Sequence, residues 1–189
     1  LKLIDTHCHL DDRALADDLA AVVSRAAEAG VARIVVPMID LRNARAVVDL
    51  AERFDSVYVA VGIHPNSAAE WRDEWLDEVR RLAAHPKVVA VGEIGLDYYW
   101  DKAPAYVQHR AFAQQVALAA ELGLPVIVHN REASADVVRL LTESPLANHA
   151  EPGVLHSFSA DWDMAEEALA LGFYLGFTGP LTYKKADDL

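Results

Sequence analysis

The chain has 189 residues, 53% of them hydrophobic, enough for one well-buried domain and hardly for two. Its formal net charge of −12 excludes adhesion to nucleic acid through bulk positive charge, so any anionic substrate must be held locally. One cysteine excludes an internal disulfide, and no apolar run reaches the roughly 18 residues of a membrane span. With no signal-peptide layout at the N-terminus, the expectation is a cytoplasmic protein that makes no membrane contact. Nothing in the sequence points to an obligate protein partner.

Apolar strand-like runs alternate with helical patterns along the chain. The beginning Leu1-Lys2-Leu3-Ile4 leads into Asp5-Thr6-His7-Cys8-His9-Leu10, read as a strand. On a strand His7 and His9 project to one side and Cys8 to the other, so the two imidazoles can act as a metal claw. Alone, the pair reads equally well as two polar loop residues. Ala16 to Ala29 has helical spacing and closes at Gly30. Arg33 to Pro37 is the second strand, and Asp40 is expected to cap a helix running to about Phe54. Val57 to Ile63 is the third strand, followed by a helix from Trp71 to Ala84 with Trp75, Leu76, Val79 and Leu82 inward.

Val88 to Ile94 is the fourth strand, and a long helix runs from Pro104 to Leu122 before Gly123. Leu124 to His129, Gly153 to His156 and Phe173 to Phe177 are strands five to seven, separated by helices at Ala133 to Thr142 and Asp163 to Leu171. Strands that are apolar throughout indicate burial on both faces, as in a parallel sheet covered by helices. The fold class is therefore α/β, a TIM-type (β/α) barrel lacking its eighth strand, in a single domain spanning residues 1–189. Complete barrels typically need about 250 residues. The chain also opens on Leu1, not Met, and ends on Lys184-Lys185-Ala186-Asp187-Asp188-Leu189, which resembles a helix start. It is read as C-terminally incomplete.

Barrel enzymes carry their chemistry at the C-terminal ends of the strands. The polar residues closing the apolar runs are His7 and His9, His64, Glu93 with Asp97 behind it, His129 with Arg131, and His156. Convergent histidines plus a carboxylate suit a divalent metal centre. His85, His109 and His149 fall on a helix end, a helix face and a loop, and receive no role.

The strings DTHCHLD, VGIHP, GEIGLDYY, LGLPVIVHNREA, GVLHSFS and GFTGPLT resemble, in order and spacing, the TatD family of metal-dependent deoxyribonucleases among the amidohydrolase-like barrels. The likeness runs from about Leu3 to Ala186. It implies two divalent ions, Mg, Mn or Zn. One would be held by His7 and His9, the other by His129 and His156, with catalytic Glu93 bridging them. It also implies an aspartate after the eighth strand that completes the first site. The chain stops before that residue, and Asp187 and Asp188 cannot take the role because both lie in the expected preceding helix. The first ion is accordingly expected to be the less occupied.

Around the ions, His64 and Arg131 are the expected phosphate contacts. Asp97, counted with the residues on the substrate side, either orients His129 or a metal-bound water or caps its own loop. Tyr98, Tyr99 and Trp100 offer a surface where a nucleobase could stack, and Tyr99 is taken as a substrate contact. Asn66 stands where the family usually has a histidine, while Ser157 and Ala160 replace a usual cysteine and glycine. Cys8 is read as a small buried hydrophobe. The leading function is hydrolysis of DNA phosphodiesters at exposed or single-stranded ends by a metal-activated water. The alternatives are a related metallohydrolase acting on a small amide, ester or phosphoester, and a non-catalytic fragment.

Overall fold

The computed structural model describes residues 2–184 and 186. Leu1 and most of the C-terminal stretch, including Asp187 and Asp188, lie outside the described residues. Seven parallel strands pair in sequence order to form a curled, TIM-barrel-like half-barrel: β1 (Leu3–Asp5), β2 (Val31–Pro37), β3 (Val57–Val61), β4 (Val88–Asp97), β5 (Val126–Arg131), β6 (Gly153–Leu155) and β7 (Tyr174–Leu175). Between them run α1 (Leu19–Glu28), α2 (Ala44–Arg53), α3 (Glu74–Ala83), α4 (Ala105–Leu122), α5 (Ser134–Thr142) and α6 (Trp162–Ala170). Among the described residues no helix is long and apolar enough to cross a membrane.

Alternation along the strands sorts the core into two sets. Ile34, Val36, Val57, Val59, Val61, Val126, Val128 and Leu155 pack outward among the helices. Val35, Ala60, Ala90, Ile127 and Val154 form a separate inner cluster. The inner set fixes which polar residues reach the mouth, because side chains two apart share a face. Counting from Ala60, Ile127 and Val154, that face continues to His64, to His129 and Arg131, and to His156. On β4 the pairing register shifts between Val91 and Ile94, after which Ile94 and Leu96 join the outer core. Glu93, Gly95 and Asp97 therefore share the inner face. Gly95 has φ +147°, and a Cβ there would land on the His129 carbonyl oxygen, so only glycine permits this close approach of β4 to β5.

Several local expectations change. β1 ends at Asp5, so His7 and His9 follow the strand and do not lie on it. The chain there is held by Cys8 N–H donating to the Val35 carbonyl (3.0 Å) and His7 N–H donating to Asp5 Oδ1 (3.1 Å). β4 and β5 run further than expected, so Asp97 and Arg131 sit within strands. Asp40 does not cap α2; its carboxylate is taken by the Arg42 backbone and guanidinium, and α2 begins after Asn43 without a side-chain cap. Between Trp71 and the start of α3 at Glu74 the chain is not helical, a 3₁₀ turn at Pro65–Glu70 having preceded it.

Two buried glutamines on α4, seven residues apart, bind strand ends where neighbouring strands leave backbone groups free. Gln115 accepts from Ile63 N–H (2.7 Å) and donates to its carbonyl (3.2 Å). Gln108 does the same for Asp97, at 2.8 and 3.0 Å. These amides stand in for a missing strand partner beside His64 and at Asp97. Gln115→Leu should orphan both Ile63 groups and destabilise the fold by about 2 kcal/mol or more, lowering Tm by about 4–8 °C. Thermal unfolding followed by circular dichroism checks this, and an unchanged Tm would refute the structural role.

Candidate metal centre

Glu93 is 2% exposed and sits among four histidines supplied by different strand ends. Its Oε2 faces His7 Nε2 at 3.4 Å. Its Oε1 faces His129 Nδ1 at 2.8 Å, His156 Nε2 at 2.6 Å and His64 Nε2 at 3.4 Å. His9 Nε2 lies 3.1 Å from His7 Nε2, and His129 Nδ1 lies 3.1 Å from His156 Nε2. The carboxylate thus has one oxygen toward each of two histidine pairs. The His7 and His156 rings stack face to face at 3.9 Å between them.

Such contacts suit cations. Two imidazole nitrogens 3.1 Å apart can share one proton at most, whereas a divalent ion accepts the lone pairs of both. His7, His9 and Glu93 form one group of donors close enough to hold an ion, and His64, Glu93 and His129 form another. His64 differs from the rest in its hydrogen bonding. Its Nδ1 accepts from Asn66 N–H at 3.0 Å, so the neutral ring carries its proton on Nε2 and presents a donor. His156 has no donor at its Nδ1 among the described residues, so its neutral ring can carry the proton there and would then offer the Nε2 lone pair to an ion beside His129.

Asp97 meets four N–H donors. Oδ1 accepts from the Tyr99 and Trp100 backbones at 3.0 and 2.9 Å. Oδ2 accepts from Asn66 Nδ2 at 3.1 Å and His129 Nε2 at 3.0 Å. Oδ1 thus closes the loop that follows β4, and Oδ2 meets His129 and Asn66. With His129 donating to Asp97 from Nε2, its Nδ1 is turned toward Glu93 at 2.8 Å, where it donates to the carboxylate and would serve as a ligand atom once deprotonated. Asn66, noted in the sequence only as a departure, proves to brace Asp97. The Nδ1 atoms of His7 and His156 have no partner among the described residues.

Electrostatics follow from this packing. Burial would raise the Glu93 pKa, but hydrogen bonds from His129, His156 and His64 outweigh it and hold the carboxyl well below its usual range. Burial and the neighbouring histidines lower His7 to about 3 despite Glu93, leaving a neutral ring. Burial alone would lower His129, yet its bonds to Glu93 and Asp97 keep it above the usual histidine value. Burial would raise Asp97 too, and the bonds from Trp100, His129 and Asn66 bring it below normal. Burial, aided by Asp5 and Asp11, pushes the Cys8 thiol up to about 11, in keeping with a side chain packed against the core.

The remaining expected residues surround this cluster. Arg131 stacks over the Tyr99 ring at 4.2 Å and shares a groove with His129 and His156. Tyr98 turns away, its hydroxyl donating to Asp136 Oδ2 (2.7 Å) and meeting His109. Ser157 adopts φ +46°, and its hydroxyl bonds to Thr178 at 2.7 Å. Gln108, Gln115 and Asn66 are supporting residues whose roles the sequence did not reveal. The only available signal for Gln108 was a polar residue on the inward stripe of a helix.

A curled parallel barrel with a histidine and carboxylate cluster at its mouth is the architecture of a metal-dependent hydrolase. The model of the TatD related DNase family matches residues 4–189, and the chain belongs to that family. The "uncharacterized metal-dependent hydrolase YabD" of Bacillus subtilis is 42% identical over 184 residues, 97% of this chain and 71% of that protein. The "3'-5' ssDNA/RNA exonuclease TatD" of Enterobacter lignolyticus is 35% identical, covering 94% of this chain and 67% of that protein. The crystal structure of the TatD homologue YjjV from Escherichia coli superposes with a TM-score of 0.85 at 37% identity, covering 97% of this chain and 71% of that one.

If Asp97 orients His129, Asp97→Asn sets an N–H donor against donors and should weaken binding of Mn²⁺ or Zn²⁺ by about 10- to 100-fold. Calorimetric titration measures this, and unchanged affinity would show that His129 is positioned without Asp97.

Proposed function

We propose that this protein is a two-metal phosphodiesterase that trims DNA from exposed or single-stranded ends. The observation that carries the reading is the division of Glu93, one oxygen facing His7 and the other facing His129 and His156. His7 and His9 would hold one ion, His129 and His156 the other, and Glu93 would touch both. When bound, a pair of Mg, Mn or Zn ions supplies an activated water and positive charge at the phosphoryl oxygens. The chain supplies placement. His64 presents Nε2–H at the shared carboxylate, where it can donate to a phosphate oxygen. Arg131, at the edge of the same groove, can grip a phosphate through two parallel N–H bonds. Asp97 keeps the His129 lone pair turned inward.

Support for a nucleic-acid substrate comes from relatives named as 3'-5' ssDNA/RNA exonucleases. A site in a barrel mouth favours a chain end over the middle of a duplex, whose bases are stacked and paired. The test is digestion of end-labelled single-stranded DNA with Mg²⁺ or Mn²⁺, comparing the natural chain with Glu93→Ala. The variant should lose more than about 100-fold in rate, and a chelator should stop the natural protein. Equal rates in the two proteins would overturn the mechanism. Hydrolysis of small esters without cleavage of DNA would favour a small-molecule metallohydrolase.

A further inference from the structure

We propose that Trp100 carries the stacked base of the bound nucleotide, while Tyr99 serves as the mount that holds Arg131 against its phosphate. The assignment rests on the DNA reading above. Arg80 and Arg110 hold carboxylates, as expected in a chain of net charge −12. Arg131 makes no ion pair among the described residues and lies instead over Tyr99, 4.2 Å from the ring centre. A guanidinium lying over an aromatic ring is held by cation–π attraction while its N–H donors stay free for an anion. Arg131 lines the groove that also contains His129 and His156, so that anion would sit beside the metal centre.

Tyr99 therefore has a face already in use. A base stacking there would have to displace the guanidinium. Trp100 meets the Tyr99 ring edge to face, 4.8 Å between centroids at 89°. It is 49% exposed, has the larger π surface, and has no cation over its ring among the described residues. Both residues are fixed at the backbone, since their N–H groups bond to the Asp97 oxygen that His129 does not use. One carboxylate therefore ties the aromatic pair to a candidate metal ligand. The ligand class is a nucleotide with an unstacked base, which single strands and frayed ends supply and duplex interiors do not.

The test uses the Mn²⁺-loaded protein on a short oligothymidylate and on the same strand with abasic terminal nucleotides. Trp100→Ala should lower the ratio of kcat/KM between these substrates by about 10-fold, chiefly through KM. Trp100→Phe should largely restore the ratio. Tyr99→Leu should lower kcat/KM on both substrates by similar factors, because Arg131 is released, and Tyr99→Phe should keep the grip. Thermal unfolding and Mn²⁺ affinity identify any variant that has failed to fold. A wild-type ratio in Trp100→Ala would overturn the assignment. So would collapse of the ratio in Tyr99→Leu alone, which would put the base on the tyrosine. A natural protein that cleaves a base-free diester but neither oligonucleotide would contradict the DNA reading itself.

Discussion

The structure depends on one buried carboxylate. Burying Glu93 in an apolar strand would be strongly unfavourable by itself, because a charge removed from water needs partners nearby. It has four histidines around it, and the hydrogen bonds of His129, His156 and His64 outweigh the burial that would otherwise protonate it. The ring nitrogens also crowd one another at distances that suit a shared cation better than a shared proton. A site arranged in this way is prepared for divalent ions by its own packing.

Holding side chains from separate strands at such distances requires the strand ends to be rigid where their pairing runs out. Gln115 and Gln108 supply the missing backbone partners beside His64 and at Asp97. Gly95 lets β4 approach β5 closely. Asp97 accepts four hydrogen bonds and so links His129, Asn66 and the aromatic loop. A change at any of these positions acts on the chemistry through geometry, without touching the substrate.

Much of this was legible in the sequence. Apolar runs ending in histidine or glutamate placed His64, Glu93, His129 and His156 on one rim, because strand periodicity is strict and parallel barrels put strand ends together. The segment at His7 and His9 was less legible. Its strand is three residues long, and the loop brings the two rings together by hydrogen bonds that no periodicity encodes. The capping role read for Asp40 failed because Arg42, two residues away, competes for the carboxylate more strongly than a helix end does. The ring protonation of His64 and the brace from Asn66 depend on contacts between residues close in space, which a single sequence does not reveal.

The role proposed for Glu93 is that it would hold two divalent ions at once, one on each carboxylate oxygen. Crystals grown with Mn²⁺ and measured for anomalous scattering test it most directly. The account predicts two peaks flanking the Glu93 carboxylate, one bonded to His7 and His9 and the other to His129 and His156. Manganese bound with Glu93 outside its coordination sphere, or a single ion held by His64 and His129, would contradict it.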